Sequence, residues 1–132
     1  MTGLYNIDER NRSCFSEILV DPSHFREGIA SEALLALLTH AFEHSHMRMH
    51  RVTFHAGLNN HRMRSWLEDL GLREEFVWKD SWKVQEGVWV DSVGYTIFDS
   101  EWRGKVKEAL NSKVVKALKG YQQDPEAFVS SS

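Results

Sequence analysis

The chain has little cysteine, no long apolar segment and no strong excess of charge of either sign. Cys14 is the single cysteine, so an internal disulfide framework is excluded and a reducing compartment is favoured. No apolar run approaches the roughly 18 residues that a membrane-spanning helix needs. No basic-then-apolar leader is visible at the start of the sequence. These absences predict a cytoplasmic, or alternatively nuclear, protein that makes no membrane contact.

Charge and size restrict the classes further. The formal net charge is −3, and the sixteen lysines and arginines are spread along the chain apart from a late cluster between Lys105 and Lys119. This distribution gives no support to a nucleic-acid partner. The 132 residues, 42% of them hydrophobic, suit one globular domain that buries roughly two thirds of its unfolded surface.

Two common ligand patterns are also missing. Neither the dinucleotide pattern G-x-G-x-x-G nor the P-loop pattern G-x-x-x-x-G-K-[ST] occurs. His40 and His44 have the i, i+4 spacing of metal ligands, with His46 and His50 nearby, but no cysteine or pair of aspartates accompanies them. We therefore interpret these histidines as a solvated helix flank and predict no metal.

A strand, a turn and a long helix form the centre of the sequence. The apolar run Ile18 to Val20 ends at Asp21-Pro22, and after a basic turn a helical stripe begins at Ala30. The stripe comprises Ala30, Leu34, Leu37, Leu38 and Ala41, widened by Leu35 and Phe42. Gly28 at the mouth of this helix would let a phosphate approach the unpaired N–H groups of the first turn. Alternatively, Gly28 only relieves a tight turn.

The remaining elements follow from periodicity and turn chemistry. Strands are predicted at 3–9, 13–20, 51–56, 72–79 and 88–98. A helix is predicted from Asn59-Asn60 to a stop at Gly71, and a last helix from a cap at Asp99-Ser100 to Lys119 with a stripe of Val106, Leu110, Val114 and Leu118. The tryptophans at 78, 82 and 89 are predicted to pack rather than to act as stacking platforms.

Three segments in this order resemble one family. VDPSHFREGIASEALLALLTHAF looks like motif A of the GNAT superfamily of acyl-CoA N-acyltransferases, whose pattern is [QR]-x-x-G-x-[GA]. NNHRMRSWLEDLGLREE resembles the Asn-led helix of that family. VDSVGYTIFDSEW is similar to the end of the branch that acetylates ribosomal-protein and other protein N-termini, D-x-x-x-Y-x-x-x-x-x-E-W.

The resemblance implies an α+β fold with a mixed, mainly antiparallel sheet of five to six strands flanked by helices. The strands that end at Val20 and Ala56 should be parallel neighbours, because a long helix connects them. The chain looks N-terminally truncated, without the usual first strand and first two helices, which predicts an open sheet edge. Residues 1–104 form the partial acetyltransferase domain in this interpretation, and residues 105–132 form the C-terminal helix and a frayed tail.

The resemblance also implies an activity and a cosubstrate. The family transfers an acetyl group from acetyl-CoA to an amine by direct attack, the acceptor being a small molecule or a protein N-terminus. The implied coenzyme-binding residues are Leu19, Val20, Phe25, Arg26, Glu27, Gly28, Ile29, Ala30 and Asn60. The motif departs from the family where Phe25 replaces Gln or Arg and where Glu27 adds negative charge. Asn60 is open to a second interpretation as a helix N-cap.

No catalytic residue stands out. Glu17 and His55 are the candidates for a base acting through water, but each is more simply explained as a strand surface residue. Met63 occupies the position of a family serine, and the same helix has no tyrosine to act as general acid. The alternatives to an acetyltransferase are a truncated pseudoenzyme and a partner or homo-oligomer that completes its sheet through the open N-terminal edge. We expect weak coenzyme binding and little transfer by this chain.

Overall fold

The structure, a computed structural model, describes residues 2–18, 27–44, 46 and 48–123. Its strands and helices are, in chain order, β1 (Thr2–Asp8), β2 (Ser13–Ile18), α1 (Glu27–Glu43), β3 (Arg51–Gly57), α2 (His61–Asp69), β4 (Arg73–Gln85), β5 (Val88–Phe98), α3 (Asp99–Glu101) and α4 (Lys107–Gln123). A π-helical turn, Trp102–Val106, joins α3 to α4. The predicted elements are present, although β4 extends to Gln85 rather than ending at Lys79.

The strands form one five-stranded sheet in the order β1-β2-β3-β5-β4. β2 and β3 are parallel, because α1 carries the chain back across the sheet between them. The pairs β1–β2, β3–β5 and β4–β5 are antiparallel. The mixed, mainly antiparallel sheet and the parallel pairing of the strands on either side of the long helix are therefore confirmed.

The helices cover one face of this sheet. The stripe of α1 is buried at Ala30, Leu34, Leu38 and Ala41. Residues of α1, α2 and α4 belong to the same core cluster as the alternate strand residues of this face, which are Cys14, Val52, Phe54, Ala56, Val93, Tyr95 and Ile97. We call this side of the sheet the helical face. Cys14 is thus a buried strand residue, and burial raises the pKa of its thiol to about 11, which leaves it unreactive near neutral pH.

The second helix begins and ends as predicted. Asn60 is its N-cap, and the Asn60 Oδ1 accepts a hydrogen bond of 3.3 Å from the backbone N–H of Met63. Gly71 follows the helix with a φ of +96°, a conformation that glycine adopts without a Cβ penalty. The N–H of Gly71 donates to the carbonyl of Glu68, and the N–H of Leu72 donates to that of Leu67.

The C-terminal helical segment differs from its prediction in two ways. Its cap is Phe98 rather than Asp99-Ser100, because the Glu101 carboxylate accepts from the backbone N–H of Phe98 at 3.2 Å. Its predicted stripe is buried only in the first half, at Val106 and Leu110, whereas Leu118 is 53% exposed. The division at residues 104 and 105 stays a prediction, and it falls inside the π-helical turn.

The prediction that the hairpin tryptophans pack is confirmed for Trp78, which contacts the rings of His55 and Phe76, but none of the three is buried. Trp78, Trp82 and Trp89 retain 46%, 39% and 50% of their accessible surface. They lie on β4 and β5 where this hairpin carries few buried residues. Alternation alone indicates that such residues face one side or the other of a strand, but it does not indicate whether another element covers that side.

Candidate active site

The parallel strands β2 and β3 separate at their carboxyl ends. Their pairing runs from Ser13 opposite Arg51 to Ser16 opposite Phe54. Both strands continue beyond this point, β2 to Ile18 and β3 to Gly57, and no further pair joins them within the described residues. We call the ends 17–18 and 55–57 the splay. Its facing backbone groups do not bond to each other, so that among the described residues they are open to a ligand.

The first turn of α1 follows the splay in the chain. Eight residues separate Ile18 from Glu27, where the helix begins. Gly28 is partly buried, Ile29 is 51% exposed, and Ala30 is buried in the core. The N–H groups of a first turn have no partner inside the helix, and together with the macrodipole they favour an anion there. In the described part of the predicted phosphate site, residues 28–30, the side chain of Ile29 therefore faces solvent and that of Ala30 packs in the core.

Several predicted site residues lie outside the described parts of the chain. These are Leu19, Val20, Phe25 and Arg26. Glu17 and Glu27 are described only as backbone in β2 and α1. The coenzyme contacts assigned to these residues, and the role of Glu17 as a base, stay predictions.

His55 lies at the splay, one residue beyond the last β2–β3 pair. Its ring is enclosed by three aromatic rings, with centroid distances of 5.0 Å to Phe15, 5.5 Å to Phe76 and 4.5 Å to Trp78. Burial lowers the pKa of the imidazole below 6.5, because desolvation disfavours the charged form. His55 is therefore largely neutral at pH 7 and able to accept a proton.

Asn60 connects α2 to the same end of β3. Its backbone N–H donates to the carbonyl of Gly57 at 2.9 Å. Its side-chain oxygen is used as the N-cap, so the second interpretation of this residue is confirmed. A contact of its amide nitrogen with the pantetheine arm is compatible with the cap and stays a prediction.

Two buried serines were not identified from the sequence. Ser16 is in the last β2–β3 pair, and Ser31 is in the first part of α1. Both residues are fully buried, and neither hydroxyl has a hydrogen-bond partner among the described residues. Unpartnered buried hydroxyls are rare in folded proteins. Serine on an apolar stripe is the only sequence signal for them, and it does not distinguish a ligand contact from simple packing.

These observations fit acetyl-CoA. The splay offers backbone hydrogen-bonding groups to an amide-containing arm, and the α1 terminus offers N–H groups to phosphates. The unpartnered hydroxyls of Ser16 and Ser31 lie on the same two elements. The charge of Glu27 opposes an anion at the helix terminus, so the fit is better for the pantetheine arm than for the pyrophosphate.

Other candidate sites are weaker. An open cleft of about 460 Å³ is lined by His61, Arg62, Ser65, Trp66 and Asp69, which all belong to α2. It does not bring together residues from different elements. In the described parts of the chain, no group of three or more His, Cys, Asp or Glu residues could hold a metal. None of the described helices combines the length and apolar character that crossing a membrane requires.

Comparison with known proteins decides the family. Residues 1–73, more than half of the chain, match the family model of the acetyltransferase (GNAT) domain. The chain belongs to the GNAT acetyltransferase family. The matched residues contain β1, β2, α1, β3 and α2, and therefore the whole splay. Assignment to the branch that acts on ribosomal proteins stays a prediction.

Solved GNAT-type structures share this fold. A protein from T. thermophilus assigned as an acetyltransferase is 28% identical over 84% of this chain and 57% of its own, with a TM-score of 0.74. A GCN5-related N-acetyltransferase from Brucella melitensis is 24% identical over 84% of this chain and 49% of its own, with a TM-score of 0.70. The dodecameric spermidine N-acetyltransferase from Vibrio cholerae is 21% identical over 78% and 58%, with a TM-score of 0.68.

This GNAT chain spans about half to three fifths of the length of these structures. No curated protein sequence matches it.

Proposed function

We propose that this GNAT chain binds acetyl-CoA at the splay and transfers the acetyl group to a primary amine. The observation that carries the proposal is the separation of β2 from β3 immediately after Ser16 and Phe54, followed in the chain by the N-terminus of α1. In this arrangement the backbone at Leu19 and Val20 holds the pantetheine arm, and residues 25–30 receive the pyrophosphate. Asn60 contributes its amide nitrogen to the arm.

The reaction needs contact between the amine and the thioester, and it needs groups that accept and donate protons. The amine nitrogen attacks the thioester carbonyl, a C–N bond forms, and the C–S bond breaks to release the thiolate of coenzyme A. One proton of the incoming ammonium goes to a base, and a second proton goes from the tetrahedral intermediate to the departing thiolate. Positioning supplies most of the acceleration, and a backbone N–H at the splay stabilises the developing oxyanion.

His55 is the proposed proton acceptor. It is at the splay, its ring is held by aromatic neighbours, and its pKa is lowered so that the neutral form predominates at pH 7. Glu17 is one residue past the last paired position on the facing strand and remains the competing base. The two assignments differ in their pH dependence, because a carboxylate ordinarily titrates at lower pH than an imidazole.

The test is release of coenzyme A thiol from acetyl-CoA and a primary amine, measured for the unmodified chain, His55→Gln and Glu17→Gln. We expect His55→Gln to lower kcat by about 100-fold or more and to leave the Kd of acetyl-CoA unchanged. Equal kcat in His55→Gln with loss in Glu17→Gln would transfer the role to Glu17. We expect slow turnover even in the unmodified chain, because α2 has no tyrosine to act as general acid.

A partner-completing role is the second candidate function. The described β1 pairs with β2 alone and forms an edge of the sheet, and the face opposite the helices keeps exposed aromatic residues. A chain with this role would bind acetyl-CoA without transfer, or neither bind nor transfer. Acetyl-CoA binding without release of thiol above the uncatalysed rate, at any amine concentration, would favour this candidate.

A further inference from the structure

A continuous row of aromatic rings crosses the sheet on the face opposite the helices. It consists of Tyr5 on β1, Phe15 on β2, His55 on β3, and Phe76 and Trp78 on β4, and we call it the aromatic strip. Adjacent ring centroids are 5.6 Å apart for Tyr5 and Phe15 and 5.0 Å apart for Phe76 and Trp78. Phe15 and His55 alternate with residues of the helical face, which places the strip on the opposite face.

A glycine on β5 leaves room for the aromatic strip to continue across that strand. β5 lies between β3 and β4 in the sheet, and Gly94 of β5 is paired with both His55 and Phe76. A Cβ on Gly94 would overlap the ring of Phe76, so this ring lies directly on the β5 backbone. The absence of a side chain at residue 94 therefore lets Phe76 approach His55 and makes the row continuous.

The strip itself carries no carboxylate, and three acidic residues of β4 and β5 with described side chains are held in ion pairs. Glu75 pairs with Arg51, and Glu74 pairs with Arg64 at 3.0 Å. Asp91 is 3.9 Å from Lys79. A polycation such as spermidine would need several free carboxylates, whereas an apolar planar group is matched by exposed ring faces. Tyr5 and Trp78 provide such faces, since they are 37% and 46% exposed.

We infer that the aromatic strip is the acceptor-binding surface and that the acceptor is a primary monoamine carried on an aromatic group. This inference rests on the proposed function, because His55 belongs both to the strip and to the splay where the thioester would lie. The acceptor ring stacks on Trp78, and its amine reaches His55, whose ring centroid is 4.5 Å from that of Trp78. Acetyl-CoA approaches from the α1 side and the amine approaches from the opposite face.

The test is equilibrium binding of three amines to the whole chain, measured calorimetrically with and without acetyl-CoA. The probes are 2-phenylethylamine, 2-cyclohexylethylamine and spermidine. We expect 2-phenylethylamine to bind about 3- to 10-fold more tightly than its cyclohexyl analogue, as aromatic pairing energies indicate, and more tightly than spermidine. The matched variants are Trp78→Leu in the strip and Trp89→Leu, an equally exposed tryptophan that is paired with Lys83 outside the strip.

Trp78→Leu should remove the preference for the aromatic amine, and Trp89→Leu should retain it. Equal loss in both variants, no preference in the unmodified chain, or tighter binding of spermidine would overturn the inference. Acetyl-CoA binding together with any of these results would leave the proposed function standing. Binding of the aromatic amine without binding of acetyl-CoA would retain the strip as an amine site and contradict the proposed function.

Discussion

The two faces of the sheet use apolar side chains differently. On the helical face, side chains such as Leu34, Leu38 and Val52 have no accessible surface, because helices cover them. On the opposite face, aromatic rings contact one another, but Tyr5 and Trp78 keep 37% and 46% of their accessible surface. The first arrangement provides stability through burial. The second leaves apolar surface exposed beside the splay, which is typical of a recognition surface.

The largest expected difference between the faces is in stability. Leu38→Ala should lower the free energy of unfolding by about 2–5 kcal/mol, because it leaves a cavity in the core. Trp78→Leu should lower it by about 1 kcal/mol or less, because the side chain is half exposed. Chemical denaturation of both variants measures the contrast. Comparable losses would mean that the open face contributes as much to stability as the core.

A smaller effect is expected at the floor of the aromatic strip. Gly94→Ala should lower the free energy of unfolding by about 1–3 kcal/mol, because the new methyl group displaces the ring of Phe76. Gly104→Ala is the matched control, since nothing lies within 4 Å of a Cβ there. This second variant should raise stability by about 0.5–1 kcal/mol, as expected for a glycine in a helix. A neutral or stabilising Gly94→Ala would show that the strip is loosely packed.

The cap of α2 should contribute less again. Asn60→Ala removes the hydrogen bond to the N–H of Met63 and should lower the free energy of unfolding by about 1 kcal/mol. Asn60→Asp keeps an acceptor at the same position and should retain stability. If both variants are as stable as the unmodified chain, the side chain is not a structural cap.

The smallest effect is the pH dependence of stability at His55. The folded-state pKa lies below 6.5 because of burial, so the unfolded chain binds a proton first as the pH falls. The contribution of neutral His55 is complete above pH 6.5, and it is lost as the pH decreases through 6.5 toward the lowered pKa. His55→Gln should remove this part of the pH profile, whereas His40→Gln on the surface of α1 should retain it. An unchanged profile in His55→Gln would show that the imidazole remains solvated.

The periodicity of the sequence predicts the buried residues of the helical face, but it does not predict the aromatic strip. The spacing of Leu34, Leu38 and Ala41 predicts a buried helix face, and the crossover through α1 predicts parallel β2 and β3; both predictions are confirmed. The aromatic strip joins residues as distant in sequence as Tyr5 and Trp78. Its formation depends on β5 lying between β3 and β4, and sequence spacing does not contain that order.

The location of the coenzyme site stays a prediction. The resemblance assigned the coenzyme to Leu19, Val20, residues 25–30 and Asn60, and the splay lies beside these residues in the chain. Asn60 and Gly71 have local signals, because caps and C′ glycines are determined by neighbouring residues. The lowered pKa of His55 has no local signal, since it results from rings on β2 and β4.

Calorimetric titration with acetyl-CoA in low-salt buffer tests the central claim, that the splay and the α1 terminus form the coenzyme site. The unmodified chain should bind weakly, and Gly28→Asp should abolish binding by adding bulk and negative charge at the phosphates. Gly104→Asp is the matched control, because Trp102 and Lys107 on either side of it contact Glu43 at the other end of α1. This control should bind as the unmodified chain does. No binding by the unmodified chain, or equal affinity in Gly28→Asp, would contradict the account.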